Sequence, residues 1–119
     1  MTHTILVVDD EEDIRLFLRT LLRDHGFEVL LAVDGVQALE LMRQHKPDLI
    51  SLDLQMPNKT GTDFYRRLAR DKELRDTPVI VVSGLSGRHL AVREPAAVFD
   101  KPIDSDRFIE EVKKALAGV

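Results

Sequence analysis

Apolar positions along the chain follow two alternating rhythms. Thr4–Val8, Phe27–Ala32, Leu49–Leu52, Val79–Val82 and Ala96–Phe99 are short, nearly continuous apolar runs, the pattern of strands covered on both faces. Between them apolar residues recur every three or four positions, the spacing of one helix face. The stripes are Ile14, Phe17, Leu18, Leu21 and Leu22; Ala38, Leu39 and Met42; Phe64 and Leu68; and Phe108, Ile109, Val112, Ala115 and Leu116. Gly26 is placed to end the first helix, Asp34-Gly35 to open the second and Lys46-Pro47 to close it. Met56 to Gly61 has loop composition, and the third helix is expected from about Thr62 to Asp71. Asp104 or Ser105 can cap the last helix. Gly84 to Pro95 is the least patterned stretch; a turn or two of helix around Arg88 to Arg93 and a loop both fit it.

Strands that alternate with helices in this way call for a parallel sheet with helices on both faces. Right-handed crossovers leave few arrangements, and the favoured strand order is 2-1-3-4-5, with its switch point between strands one and three. The expected architecture is therefore a doubly wound α/β fold of five strands whose fourth helix is short or irregular.

Composition narrows the function. At 119 residues the chain suits one compact domain spanning 1–119. A formal net charge of -4 argues against direct nucleic-acid binding by bulk attraction. With no cysteine there are no disulfides, thiolate metal sites or cysteine nucleophiles, as suits a cytoplasmic protein. Met-Thr-His-Thr does not open a signal peptide, and no apolar run is long enough for membrane insertion.

Polar groups cluster at the strand ends. The first strand runs into Asp9-Asp10, the third into Asp53, the fourth into Ser83 and the fifth, past Asp100, into Lys101. All lie on the carboxyl edge, where open α/β sheets bind ligands. Asp9, Asp10 and Asp53 flank the switch point and repel one another unless a cation intervenes. Mg2+, a hard ion with oxygen ligands, meets that need, and Lys101 adds a second positive charge. The set suits phosphoryl transfer with Asp53 as nucleophile, Lys101 neutralising phosphoryl oxygens and Ser83 donating a hydroxyl. Glu11, Glu12 and Asp13 are read more simply, as acids favoured by the positive end of the first helix. Arg66, Arg67 and Arg70 form a solvated helix face, and the four histidines lack metal-ligand spacing.

Leu6-Val-Val-Asp-Asp10-Glu11, Asp53-Leu-Gln-Met-Pro57 with Gly61, Val79-Ile-Val-Val-Ser83-Gly84 and Lys101-Pro102 together resemble the motifs of bacterial response-regulator receiver domains. The resemblance covers nearly the whole chain. It implies a flavodoxin-like fold and a switch in a two-component system. Asp53 would accept a phosphoryl group from a sensor histidine kinase or phosphotransfer protein. Mg2+ would be held by Asp10, Asp53 and the backbone carbonyl of Gln55, with Asp9 acting through water. Ser83 would be the switch hydroxyl, Lys101 the phosphate-facing lysine, and Lys101–Pro102 a cis bond. Gln55 and Leu85 would lie beside the phosphoryl group.

Two features depart from the family pattern. An aromatic residue is usual three places before the lysine; here that position is Val98, with Phe99 one later. Gly84 to Pro95 is shorter than usual by about one helical turn, roughly four residues. These departures motivate the alternative of a receiver-like interaction module that works without phosphorylation. An aspartyl phosphatase fits less well, because its acid–base carboxylate would fall at Gln55. A P-loop protein lacks its glycine-rich loop here. The downstream partner is not legible.

Overall fold

The computed structural model describes residues 2–56, 60–82 and 95–118. Ser83, Leu85 and most of the Gly84 to Pro95 stretch lie outside those residues, so the expectations placed on them, including the short fourth helix, stay expectations. The elements are β1 (Thr4–Val8), α1 (Glu12–Asp24), β2 (Glu28–Ala32), α2 (Gly35–His45), β3 (Leu49–Asp53), α3 (Thr60–Arg70), β4 (Val79–Val82), β5 (Ala97–Phe99) and α4 (Ser105–Ala117). The pairs among these strands are all parallel and the order is β2-β1-β3-β4-β5, the one favoured from the alternating pattern. The fold is flavodoxin-like.

Alternation along each strand divides the core between two faces. Leu6, Val8, Ile50, Leu52, Val79 and Val81 pack with Ala38, Leu39, Met42, Phe64 and Leu68 of α2 and α3. Ile5, Val7, Leu49, Ile80, Val82 and Phe99 pack with Leu18 and Leu22 of α1 and Phe108, Ile109, Val112 and Leu116 of α4. Asp9 and Lys101 stand two positions beyond Val7 and Phe99 of this second face, and Asp53 four beyond Leu49, which directs all three to one side of the sheet edge.

Local chemistry sets the boundaries. After α1, the Phe27 N–H bonds to the Leu22 carbonyl and the Gly26 N–H to Arg23, with Gly26 at φ 88°. This Schellman turn consumes Phe27, so β2 starts one residue later than its apolar run suggests. The Asp34 carboxylate accepts from the Gln37 N–H and opens α2, and Asp104 does the same for Arg107 at α4. The third helix starts at Thr60, two residues earlier than its composition indicates. Phe17, expected inward, is 41% exposed. It lies about 100° around α1 from Leu18, at the margin of the apolar stripe and beyond what the sheet covers. Ala115 of α4 is only half-buried.

Gly61, in the first turn of α3, approaches the end of β3 so closely that an added Cβ would sit 2.6 Å from the Asp53 carbonyl oxygen. Because backbone must yield, Gly61→Ala is expected to lower stability by about 1–3 kcal/mol, measured by urea unfolding.

Candidate functional site

Strand register explains why the two buried acids meet. Val8 of β1 pairs with Leu52 of β3, so the next residues, Asp9 and Asp53, leave the sheet side by side. Asp53 is also level with Val82 of β4, and Val82 with Phe99 of β5, which brings Lys101 over the same edge. Asp9 and Asp53 are each 1% exposed.

Both carboxylates are held in the same manner. Asp9 Oδ1 accepts from the Glu11 N–H at 2.9 Å, and Asp53 Oδ1 from the Gln55 N–H at 2.8 Å. Each is a side-chain turn onto the backbone two residues ahead, the local bond that aspartate makes readily. The second oxygen of each turns to Lys101, whose Nζ lies 3.2 Å from Asp9 Oδ2 and 3.4 Å from Asp53 Oδ2. The Lys101–Pro102 peptide is cis, as the family pattern implies.

Glu11 departs from the simple sequence reading. It stands at the N-cap of α1, yet its side chain caps nothing; Oε1 instead takes the shortest contact of Lys101, 2.8 Å. Arg15, unnoticed in the sequence, donates from Nη1 to the Asp9 carbonyl at 2.8 Å and braces the loop between β1 and α1. The motif that ends at Glu11 sets it apart from Glu12, but nothing in the sequence ties its side chain to Lys101. Only its position directly after the acid pair places it over the pocket.

The electrostatics follow from charge and burial. Burial raises the Asp53 carboxyl to about 6, aided by the neighbouring Asp9 carboxylate and opposed by the Gln55 N–H and Lys101. Burial likewise raises Asp9, against its bond from the Glu11 N–H and the pull of Lys101. Burial by itself would lower Lys101, but Glu11, Asp53 and Asp9 together outweigh it and hold the lysine above its ordinary value. The acids rise while the lysine rises too, because one ammonium cannot compensate three carboxylates. With Glu11, Asp9 and Asp53 ionised and Lys101 charged, two negative charges remain unbalanced. Exposed Asp10 adds a further acid.

A divalent cation answers that surplus. Asp9, Asp10, Glu11 and Asp53 each offer an oxygen within 4.8 Å of the others. Oxygens around Mg2+ at about 2.1 Å lie roughly 3–4 Å apart, so two or three of these acids with water fit the ion better than all four. The donor set is all hard oxygen, the kind Mg2+ selects.

Asp9, Asp10, Asp53 and Lys101 are brought together. Gln55 is exposed, with its N–H on Asp53. Val98 packs against the α2 and α3 face, whereas buried Phe99 faces α4, edge-on to Phe108 at 5.3 Å with the Arg107 guanidinium 4.5 Å from its ring. Phe99 is therefore on the wrong face to replace the aromatic missing at Val98. Arg66, Arg67 and Arg70 are exposed. Among the described residues, no helix is long and apolar enough to cross a membrane.

The profile described as "Response regulator receiver domain" matches residues 5–113. The polar-differentiation response regulator DivK of Brucella ovis is 38% identical over 121 residues, spanning 98% of this chain and 98% of that protein. The signal receiver domain of a signal transduction histidine kinase from Syntrophus aciditrophicus has a similar structure, with TM-score 0.89 and 28% identity over 99% of this chain and 92% of that one. The chemotaxis protein CheY4 of Vibrio cholerae matches with TM-score 0.88 and 26% identity, covering 98% and 100%.

Proposed function

Since the chain belongs to the response-regulator receiver family, we propose that it is a phosphorylation-controlled signalling switch, a single receiver unit over 1–119 with Asp53 as phosphoacceptor. The donor is a phosphohistidine on a sensor histidine kinase or phosphotransfer protein. The observation that carries this reading is the buried Asp53 carboxylate, facing Lys101 beside Asp9 at the carboxyl edge of the sheet.

A carboxylate oxygen of Asp53 attacks phosphorus. The P–N bond breaks, its electron pair leaves with the imidazole nitrogen, and that nitrogen takes up a proton. The Gln55 N–H holds one Asp53 oxygen and fixes the carboxylate plane. Lys101 neutralises charge on the phosphoryl oxygens, where preorganised positive charge contributes most. Ser83 is assigned to one of those oxygens through its hydroxyl. Asp10, Asp53 and the Gln55 carbonyl would hold Mg2+ directly, and Asp9 through water. When bound, the ion supplies charge neutralisation between the acids and the incoming phosphoryl group.

The product carries about -1.5 to -2 charges on the phosphoryl group. That charge draws Lys101 and Ser83 toward it, and output follows from a downstream protein that binds the two states unequally. The chain is not an enzyme acting on other substrates but a phosphoacceptor that assists its own phosphoryl transfer and dephosphorylation. It transmits the signal in the cytoplasm, through protein partners and not through nucleic acid.

Incubation with Mg2+ and acetyl phosphate, read by intact mass, tests the assignment. Wild type gains one phosphoryl group and Asp53→Asn gains none. An unmodified wild type, or an adduct that persists in Asp53→Asn, refutes it. The position of Phe99 favours one second reading, an interaction module that signals unphosphorylated. An unmodified wild type that still captures its partner would establish that reading.

A further inference from the structure

Lys101 does not lie closest to the acid it is meant to serve. Its Nζ is 2.8 Å from Glu11 Oε1 but 3.4 Å from Asp53 Oδ2. The contact to Glu11 joins residues ninety positions apart. The Glu11 side chain is 58% exposed and that of Lys101 18%, so this pair sits at the mouth of the pocket above two acids that are almost wholly covered. The Glu11 backbone is fixed at both ends, its N–H on Asp9 Oδ1 and its carbonyl accepting from the Arg15 N–H. The carboxylate thus has a rigid base from which to hold the lysine.

We infer that Glu11 is a positioning residue that tethers Lys101 toward the mouth of the pocket and sets how readily an arriving phosphoryl group can capture it. The inference rests on the reading of Asp53 as phosphoacceptor. An ammonium offers three hydrogens but one charge. While a carboxylate holds it at 2.8 Å, phosphoryl oxygens must compete for both its direction and its charge. The tether therefore slows capture in the resting protein. After transfer, the phosphoryl group, with more charge than Glu11, takes the lysine over and leaves Glu11 released at the N-cap of α1. The β1–α1 loop thereby senses the modification directly, without the aromatic relay that Val98 lacks.

Two variants separate the tether from its charge. Glu11→Gln removes the charge and leaves only a neutral acceptor, which holds an ammonium more weakly than a carboxylate does. Glu11→Asp keeps the charge, but one methylene less draws the carboxylate back from Lys101. With saturating Mg2+ and acetyl phosphate as donor, both variants of the full chain are expected to take up the phosphoryl group about two- to fivefold faster than wild type. In the metal-free protein the Lys101 15Nζ resonance should shift in both, a change that a merely structural role for Glu11 would not produce. Faster uptake in Glu11→Gln with wild-type behaviour in Glu11→Asp overturns the tether in favour of charge alone. Equal rates and an unmoved resonance in both overturn it outright. If wild type takes up no phosphoryl group, the reading of Asp53 fails first and the tether with it; if wild type is modified at the variants' rate, the tether alone fails.

Discussion

Asp53→Asn should make the metal-free protein more stable, even though it removes the proposed phosphoacceptor. A carboxyl held at about 6 is harder to ionise in the folded chain than in the unfolded one, where 3.8 applies, by about 3 kcal/mol. The raised value means that the folded state binds the proton more tightly. The associated stability is fully present below pH 3.8, is lost as pH rises through 6, and stays lost above. At pH 7 the ionised side chain is therefore a burden, which asparagine removes while its oxygen keeps the Gln55 N–H. Urea unfolding in chelator at pH 7 should show Asp53→Asn more stable by about 1–3 kcal/mol, and the gap should close toward pH 4. Asp9 is raised as well and contributes with the same sign, so the variant's own decline with pH should be shallower, not absent. A variant less stable than wild type at pH 7 would show that Lys101 already compensates Asp53 in full.

Lys101→Met should act in the opposite direction. It leaves Glu11, Asp9 and Asp53 facing one another with no cation. Removing one partner of a buried charged set costs about 3–5 kcal/mol, and partial solvent access at Lys101 reduces that here to about 1–3 kcal/mol. The loss should be largest in chelator and shrink with Mg2+, since a cation among the acids restores the balance. Asp53→Asn should stabilise Lys101→Met by more than it stabilises wild type, because the two changes act on one charge set and do not add. Strict additivity in this double-mutant cycle, or a Lys101→Met protein indifferent to Mg2+, would show that the acids and the lysine do not share a pocket.

Both effects arise because the fold gathers acids at one edge before anything has bound. Burial keeps the Asp53 carboxyl covered and oriented, and the expected cost is a protein less stable than its asparagine variant. Trading stability for a preset charge constellation is common at functional sites.

The strand and helix runs, the core positions of Leu18, Leu22, Met42, Phe64, Leu68 and Val112, and the strand order were legible because side-chain periodicity records which face of an element is covered. Asp53 was legible for a related reason: an acid that ends an apolar strand can only leave the sheet at its edge. The fate of Asp9 and Asp10 was not. They are adjacent and chemically identical, yet one is buried and pinned while the other is exposed, a difference set by the Val8–Leu52 register. Glu11 looked like Glu12 until the loop after β5 carried Lys101 to it, and Phe17 looked like Leu18 until the margin of the sheet was fixed. Local order in a chain states which elements form and which side of each is apolar. Which charges share one ammonium depends on pairings between segments forty to ninety positions apart, and no local pattern encodes the distance between residues that far separated in the chain.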